Sequence, residues 1–406
     1  MVFFIFLFII HMETIMHPIV IIGSGMAGYT VAREFRKLNS EQEVVMLCAD
    51  DAINYAKPTL SNALVANKAP AQIALGDAQK MATQLNIRIE NQTYVKQIDT
   101  DSQQLTIEKN GQTSSLHYSK LVLALGATPI RLDLNGNAQN DIYVVNHLND
   151  YQQFREKLAQ LTQKRILILG AGLIGCEFAN DLQQSGHEAT VVDLADQPLA
   201  RLLPTEVAQT YQNRLSESGI QFILGTTVAH IDRQNDTYQV KLANGTQLES
   251  DLILCAVGLQ PNTELAKAAQ INTARGIVTN TYLETNATHV YAVGDCAEVN
   301  GTLLPYVMPI MQQARALAKT LNNEKTAVHY PAMPVAVKTP VAPLTVLPVP
   351  MNVDVQWEIE TLEDGVIAKA LDASQTLRGF VLLGATAAKQ RLALTKLVPD
   401  LICAAE

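Results

Sequence analysis

Apolar and polar positions fall into an order that occurs twice. An unbroken apolar run, His17–Ile22, enters Gly23-Ser24-Gly25-Met26-Ala27-Gly28, and helical spacing follows to about Leu38. A second apolar run, Glu43–Leu47, ends in Cys48-Ala49-Asp50-Asp51. Short, fully apolar runs bounded by glycine predict strands buried on both faces, as in a parallel sheet. Asn110-Gly111 lies between polar and β-like runs and predicts a hairpin turn. The strand L-V-L-A-L-G from Leu121 closes the unit, followed by Ala127, Thr128 and Pro129. The order then repeats. Arg165–Leu169 enters Gly170-Ala171-Gly172-Leu173-Ile174-Gly175, and a helix runs to about Ser185. Ala189–Val192 ends at Asp193, Asn244-Gly245 marks a second hairpin, and L-I-L-C-A-V-G from Leu252 closes the copy. Two such units predict an α/β protein with two Rossmann-like dinucleotide-binding domains.

The rest of the chain does not repeat. Val290–Ala297 reads V-Y-A-V-G-D-C-A, a helix is predicted over Pro309–Leu321, and residues 331–350 are dense in proline. The tail from about Asn352 alternates strand-like and helix-like patterns around the single Trp357, which predicts a small α+β C-terminal domain. Residues 1–10, MVFFIFLFII, hold four of the nine Phe. They fall short of the roughly 20 apolar residues of a membrane span, and they lack the basic residues and cleavage site of a secretory signal. No membrane span is expected. Residues 1–15 read as an over-extended start, with the working protein beginning at Met12 or Met16, and the alternative is a weak membrane anchor.

Composition narrows the function. The 406 residues match two or three domains at roughly 150 residues each. Apolar residues at 48% and charged residues at 17% exclude a disordered or fibrous chain. A net charge of −9 with no Lys/Arg cluster argues against nucleic acid as a partner. The five cysteines are scattered and show no zinc-like spacing, as in a reduced, cytosolic chain.

The glycine loops carry the chemistry. In each, the first glycine makes the tight turn, the second admits a pyrophosphate to the backbone, and the third lets helix and strand pack closely. The helix N-terminus adds about half a positive charge and free N–H donors. Asp193 ends its strand 23 residues after Gly170. A carboxylate there accepts both ribose hydroxyls and repels a 2′-phosphate, favouring NADH over NADPH; the plainer reading is a solvated turn residue. In the first copy Asp50 is the expected ribose ligand. Cys48 and Ala49 line the adenosine by backbone, though Cys48 is equally read as a small buried residue.

V-Y-A-V-G-D-C-A resembles the second FAD fingerprint of the pyridine nucleotide–disulfide oxidoreductase superfamily. The resemblance implies that Asp295 hydrogen-bonds a ribityl hydroxyl of FAD, with FAD at the Gly23 loop and NADH at the Gly170 loop. It implies a discontinuous FAD domain (16–130 and 251–325), an inserted NAD domain (131–250) and a C-terminal domain (326–406). The redox cysteine pair of the disulfide reductases is missing. Tyr55-Ala56-Lys57-Pro58-Thr59-Leu60-Ser61 and V-K-T-P (Val337–Pro340) instead resemble the single-component branch that reduces small iron proteins, rubredoxin and flavorubredoxin among them. Carried over residue by residue, Ser24, Gly25, Met26 and Ala27 touch the FAD pyrophosphate, and Lys57 sits by the isoalloxazine. Val95 offers backbone hydrogen bonds to the adenine. Glu177 lies where nicotinamide meets flavin. Val307, in the loop before the Pro309 helix, donates its N–H to the flavin pyrimidine edge, and Lys338 approaches from the third domain. Read without the motifs, each lysine is a surface cation and each valine ordinary core.

The implied activity is NADH:rubredoxin reduction, a two-to-one electron split feeding an alkane hydroxylase. The alternatives are a flavorubredoxin or ferredoxin acceptor, a redox-sensing protein like apoptosis-inducing factor, or peroxide or disulfide reduction. Lys57, Lys338 and the Pro309 helix N-terminus place positive charge by the reduced flavin. Rubredoxins are acidic as a class, so steering toward an acidic chain needs a local basic patch. Lys369, Arg378, Lys389, Arg391 and Lys396 are its candidates.

Overall fold

The computed structural model describes residues 17–402. The expectations for residues 1–15 lie outside them. The first apolar runs form a five-stranded parallel sheet in the order Val290–Ala292, Lys120–Leu123, Ile19–Ile22, Val44–Leu47, Arg88–Glu90. Ile19 aligns with Val44 on one side and Lys120 on the other. All four residues of Ile19–Ile22 and of Val44–Leu47 are buried, in a core shared with Tyr29, Phe35 and Leu317 of helices and with Ile98 and Leu105 of a three-stranded antiparallel sheet. Gly23 leaves the central strand Ile19–Ile22 at its carboxyl end, the side on which open α/β sheets bind their ligands, with its N–H still donating to Leu47 O at 2.8 Å.

The second copy builds a four-stranded parallel sheet in the order Gln221–Ile223, Glu188–Val192, Arg165–Leu169, Leu252–Cys255. This corrects the expected return to the first domain at residue 251. Ile166 pairs with Leu252 and Leu169 with Cys255, so this apolar strand closes the second sheet. The chain crosses back only through the antiparallel ribbon of Ala127–Pro129 with Leu259–Pro261. Asn110 and Gly111 both adopt left-handed backbone in a two-residue hairpin. The Asn244-Gly245 hairpin is wider: strands stop at Leu242 and restart at Gln247, and Gly245 is left-handed.

The third domain is an antiparallel sheet of five strands, in the order Val335–Val337, Leu344–Leu347, Leu377–Leu383, Gly365–Leu371, Gln356–Leu362, with two short helices after it. Val328, Tyr330 and Met333 are buried in the first domain's core, and Ile402 returns to that core. One face of the third sheet, through Leu344, Val346, Ala368 and Val381, shares a core with Phe154, Cys176 and Tyr211 of the second domain. Among the described residues no helix is long and apolar enough to cross a membrane.

Candidate functional site

The glycine loops are built alike. A Cβ on Gly28 would stand 2.0 Å from the Gly23 carbonyl oxygen, and one on Gly175 would stand 1.9 Å from that of Gly170. Only glycine permits this approach of helix to strand. Gly25 and Gly172 are the N-caps of the helices Met26–Arg36 and Leu173–Gln184; neither helix has a side-chain cap or an acid in its first turn. Nothing lies within 4 Å of the Cβ position of Gly25 or Gly172. Each loop therefore presents free helix-terminal N–H groups to open space, the arrangement a pyrophosphate needs.

The acids sit where the spacing put them. Asp50 is exposed; one oxygen accepts the Ser24 hydroxyl at 2.9 Å and the Ala52 N–H at 3.0 Å. The Asp193 oxygens accept N–H groups of Ala171 and Ala195, so the second carboxylate is aimed by backbone where the first is aimed by a serine. Leu194 beside it is 75% exposed. Cys48 is corrected: its N–H donates to Glu90 O and its carbonyl accepts from Thr93, so its backbone serves the sheet, and exposed Ala49 is the free member. Val95 lies in Thr93–Asp99, the edge strand of a three-stranded sheet, two residues beyond Thr93 and therefore on the edge that faces the end of Val44–Leu47.

The second fingerprint closes over the first loop. A Cβ on Gly294 would be 2.7 Å from that of Ala27, so motifs far apart in sequence touch. Asp295 follows. Burial raises its carboxyl pKa and the Lys57 ammonium opposes the rise. Lys57 starts the short helix Lys57–Asn62 and donates to Asn146 Oδ1 at 3.1 Å. Burial lowers its pKa, against Asp295, Asp150 and Asp50. Lys57 and Asp295 feel each other's charge, and no ion pair joins them among the described residues. Val307 is corrected: it is the first residue of the helix Val307–Leu321 rather than a loop residue. Its N–H lies at an N-terminus whose cap, Tyr306, makes no side-chain hydrogen bond, so the donor expected of it is preserved.

Lys338 departs from expectation as a free cation. Its ammonium is paired with Glu177 Oε2 and donates to Ser61 Oγ at 2.7 Å, while its backbone N–H donates to Glu177 Oε1 at 3.1 Å. Ser61 Oγ also meets Glu177 Oε2 at 2.7 Å. Glu177 is 6% exposed and Ser61 5%. One residue from each domain thus meets in a buried cluster. Asp181, one helical turn beyond Glu177, accepts the N–H groups of Leu64 and Val65, each at 2.9 Å, and binds the same helix to the segment that carries Lys57. Ser61, Asn146 and Asp181 were not assigned a role from sequence, although Glu177 and Asp181, four apart, lie on one face of their helix.

These residues fit a dinucleotide at each loop. A family model described as pyridine nucleotide-disulphide oxidoreductase matches residues 17–320, and one described as rubredoxin binding C-terminal domain matches residues 327–398. The chain belongs to the pyridine nucleotide-disulphide oxidoreductase family. Within it, the chain is 67% identical to a rubredoxin-NAD(+) reductase of Acinetobacter baylyi, over 95% of this chain and 99% of that one. It is 38% identical to a nitric oxide reductase FlRd-NAD(+) reductase of Pectobacterium atrosepticum, over 91% of this chain and 95% of that one. Among solved structures, a ferredoxin reductase from Rhodopseudomonas palustris matches with a TM-score of 0.84 at 27% identity, covering 94% of this chain and 95% of that one.

Proposed function

We propose that this chain is an NADH:rubredoxin reductase that holds FAD at the first glycine loop and takes NADH at the second. The observation that carries the reading is the pairing of two dinucleotide cradles with a matched rubredoxin-binding domain on one chain. FAD, when bound, accepts a hydride from NADH and releases electrons one at a time to an iron centre. The protein's part is alignment and charge. Gly25, Met26 and Ala27 offer N–H groups to the FAD pyrophosphate, and Asp50 takes the ribose. Asp295 accepts from the ribityl chain, and Val307 and Lys57 put positive charge at the ring. Gly172 and Asp193 receive NADH and repel a 2′-phosphate. Glu177 and Lys338 shape the junction of nicotinamide and flavin as a neutral pair.

The cysteines support direct electron transfer. The four described thiols are free and buried. Burial pushes Cys48 and Cys176 up to about 12 and Cys296 to about 11, and raises Cys255 as well. Such thiols are unreactive, so these four provide no dithiol relay behind the flavin. Of the five candidate steering cations, Arg378 is held by Asp372 at 2.6 Å, whereas Lys389, Arg391 and Lys396 are exposed on a stretch without acids and pair with no described residue. They support a basic landing area on an acidic chain. The reading extends to a cytoplasmic setting and an alkane hydroxylase as the consumer of the electrons.

Stopped-flow reduction of purified rubredoxin, flavorubredoxin and ferredoxin by the enzyme and NADH tests the assignment. Rubredoxin is expected to turn over fastest, with a rate that falls as salt rises. Faster turnover of flavorubredoxin moves the protein to the branch of its Pectobacterium relative. A preference for ferredoxin overturns the reading, and a salt-independent rate removes the steering argument.

A further inference from the structure

The turn that carries Asp295 is held from behind by a residue without an assigned role. Gln313 lies in the middle of the helix Val307–Leu321 and is 2% exposed. Its side-chain oxygen accepts the Gly294 N–H at 2.6 Å, and its amide nitrogen donates to the Tyr330 hydroxyl at 2.7 Å. Tyr330 is itself buried on the segment that leads into the third domain. Its N–H donates to Ile402 O at 2.9 Å, and its carbonyl accepts from Leu401 at 2.8 Å, so it also holds the segment that leads back out. One buried polar chain therefore runs from the third domain's two connections to the FAD fingerprint.

An apolar side chain would pack this site without the desolvation penalty of a buried amide. What the amide adds is a fixed position for its neighbours. Gly294 has a left-handed backbone at φ +77° and presses on Ala27, and among the described residues its N–H has no partner but Gln313. We propose that Gln313 is a positioning residue that holds the Gly294-Asp295 turn ready for FAD, and that Tyr330 fixes the orientation of its amide and so links flavin affinity to the C-terminal segment. The inference rests on Asp295 being the ribityl contact. Without Gln313 the turn is loose in the apoprotein and orders only when FAD binds. The ordering cost then falls on affinity.

The test uses full-length apoprotein titrated with FAD by flavin fluorescence quenching, with the apoprotein Tm measured alongside. Gln313→Met keeps the volume and removes both hydrogen bonds; it is expected to raise the FAD Kd about tenfold. Gln313→Glu keeps an acceptor for the Gly294 N–H and is expected to recover most of that loss. Tyr330→Phe, which removes one buried hydroxyl, is expected to weaken FAD about threefold, and it carries the test if Gln313→Met does not fold. A wild-type Kd in either Gln313→Met or Tyr330→Phe overturns the inference. So does a Gln313→Met protein whose Tm falls while its Kd holds, because the amide is then merely structural. Asp295→Ala separates the two levels. If it binds FAD as tightly as wild type, the ribityl reading fails and the inference falls with it. If it binds weakly while Gln313→Met binds normally, the inference alone fails.

Discussion

At the first glycine loop a second motif arrives from far along the chain and shuts the cradle. Gly294 presses on Ala27, Asp295 and Lys57 feel each other's charge, and the helix Val307–Leu321 holds the Gly294 N–H through Gln313. At the second loop the backbone is nearly the same, with the same close approach of Gly175 to Gly170, but among the described residues no turn comes against Gly172 or Gly175 as Gly294 comes against Ala27. Asp193 is aimed by two backbone N–H groups, and Leu194 beside it is 75% exposed. Backbone geometry suits each loop to a phosphate, and what differs is the roof. A roofed cradle retains its ligand and an open one exchanges it, which suits a resident flavin and a diffusing nicotinamide.

The largest expected effect breaks the two cradles one at a time. Gly28→Ala forces a Cβ onto the Gly23 carbonyl oxygen, an overpacking worth about 3 kcal/mol or more, so the protein is expected to purify without yellow colour. Gly175→Ala makes the same clash at the second loop. That protein is expected to stay yellow while its KM for NADH rises roughly a hundredfold. Visible absorbance and NADH kinetics read both outcomes. If Gly175→Ala also loses its colour, the cradles are not independent.

Next in size is the seam. Lys338→Met leaves the Glu177 carboxylate buried with only Ser61 and one backbone N–H, and is expected to cost about 3 kcal/mol in urea unfolding. Adding Glu177→Gln removes the stranded charge and is expected to recover part of the loss. If the double variant is no more stable than the single one, the pair is not what holds the domains at this point.

The elements read correctly from sequence are those whose partners are local or uniform. Ile19–Ile22 and Arg165–Leu169 read as buried strands because each is apolar on both faces, and Asn110-Gly111 read as a tight hairpin because both residues tolerate left-handed backbone. The helix at Val307 read two residues short. Pro309 looked like a first helical residue, yet proline is tolerated throughout the first turn, and Tyr306 gives none of the usual capping signals. Leu252–Cys255 read correctly as the closing strand of the second copy, but the domain boundary was drawn ahead of it. Lys338 read as a cation free to face the flavin because its counter-ion, Glu177, lies 161 residues away on another domain. Gln313 and Asp181 did carry a signal, a polar residue on the apolar face of its helix, Gln313 between Ile310 and Leu317 and Asp181 beside Phe178 and Leu182. The partner of such a residue is set by tertiary packing, which one sequence does not display.

A smaller effect tests the open cradle alone. Asp193→Ala removes the carboxylate proposed to take the ribose hydroxyls and to repel a 2′-phosphate. The KM for NADH is expected to rise about tenfold or more, and the preference for NADH over NADPH to shrink. The ratio of kcat/KM values for the two nucleotides measures it. FAD content should not change, and a loss of flavin here would join the two sites that the comparison separates.

The smallest effect is confined to the roofed cradle and appears as a dependence on pH. Burial raises the Asp295 carboxyl pKa above its ordinary 3.8, with the Lys57 ammonium only partly opposing it. The folded apoprotein therefore holds this proton more tightly than the unfolded chain does. Stability that the protonated carboxyl contributes at low pH is lost as pH rises through the folded-state value. Asp295→Asn cannot ionise, so its apoprotein should gain on wild type as pH climbs from about 4 and then hold a constant lead. Saturating FAD should narrow that lead, because ribityl hydroxyls donate to the ionised form and lower its pKa. Urea unfolding of both proteins across this range, with and without FAD, gives the answer. Parallel curves throughout would mean that Asp295 is already solvated in the apoprotein, and that the roof closes only after the flavin has arrived.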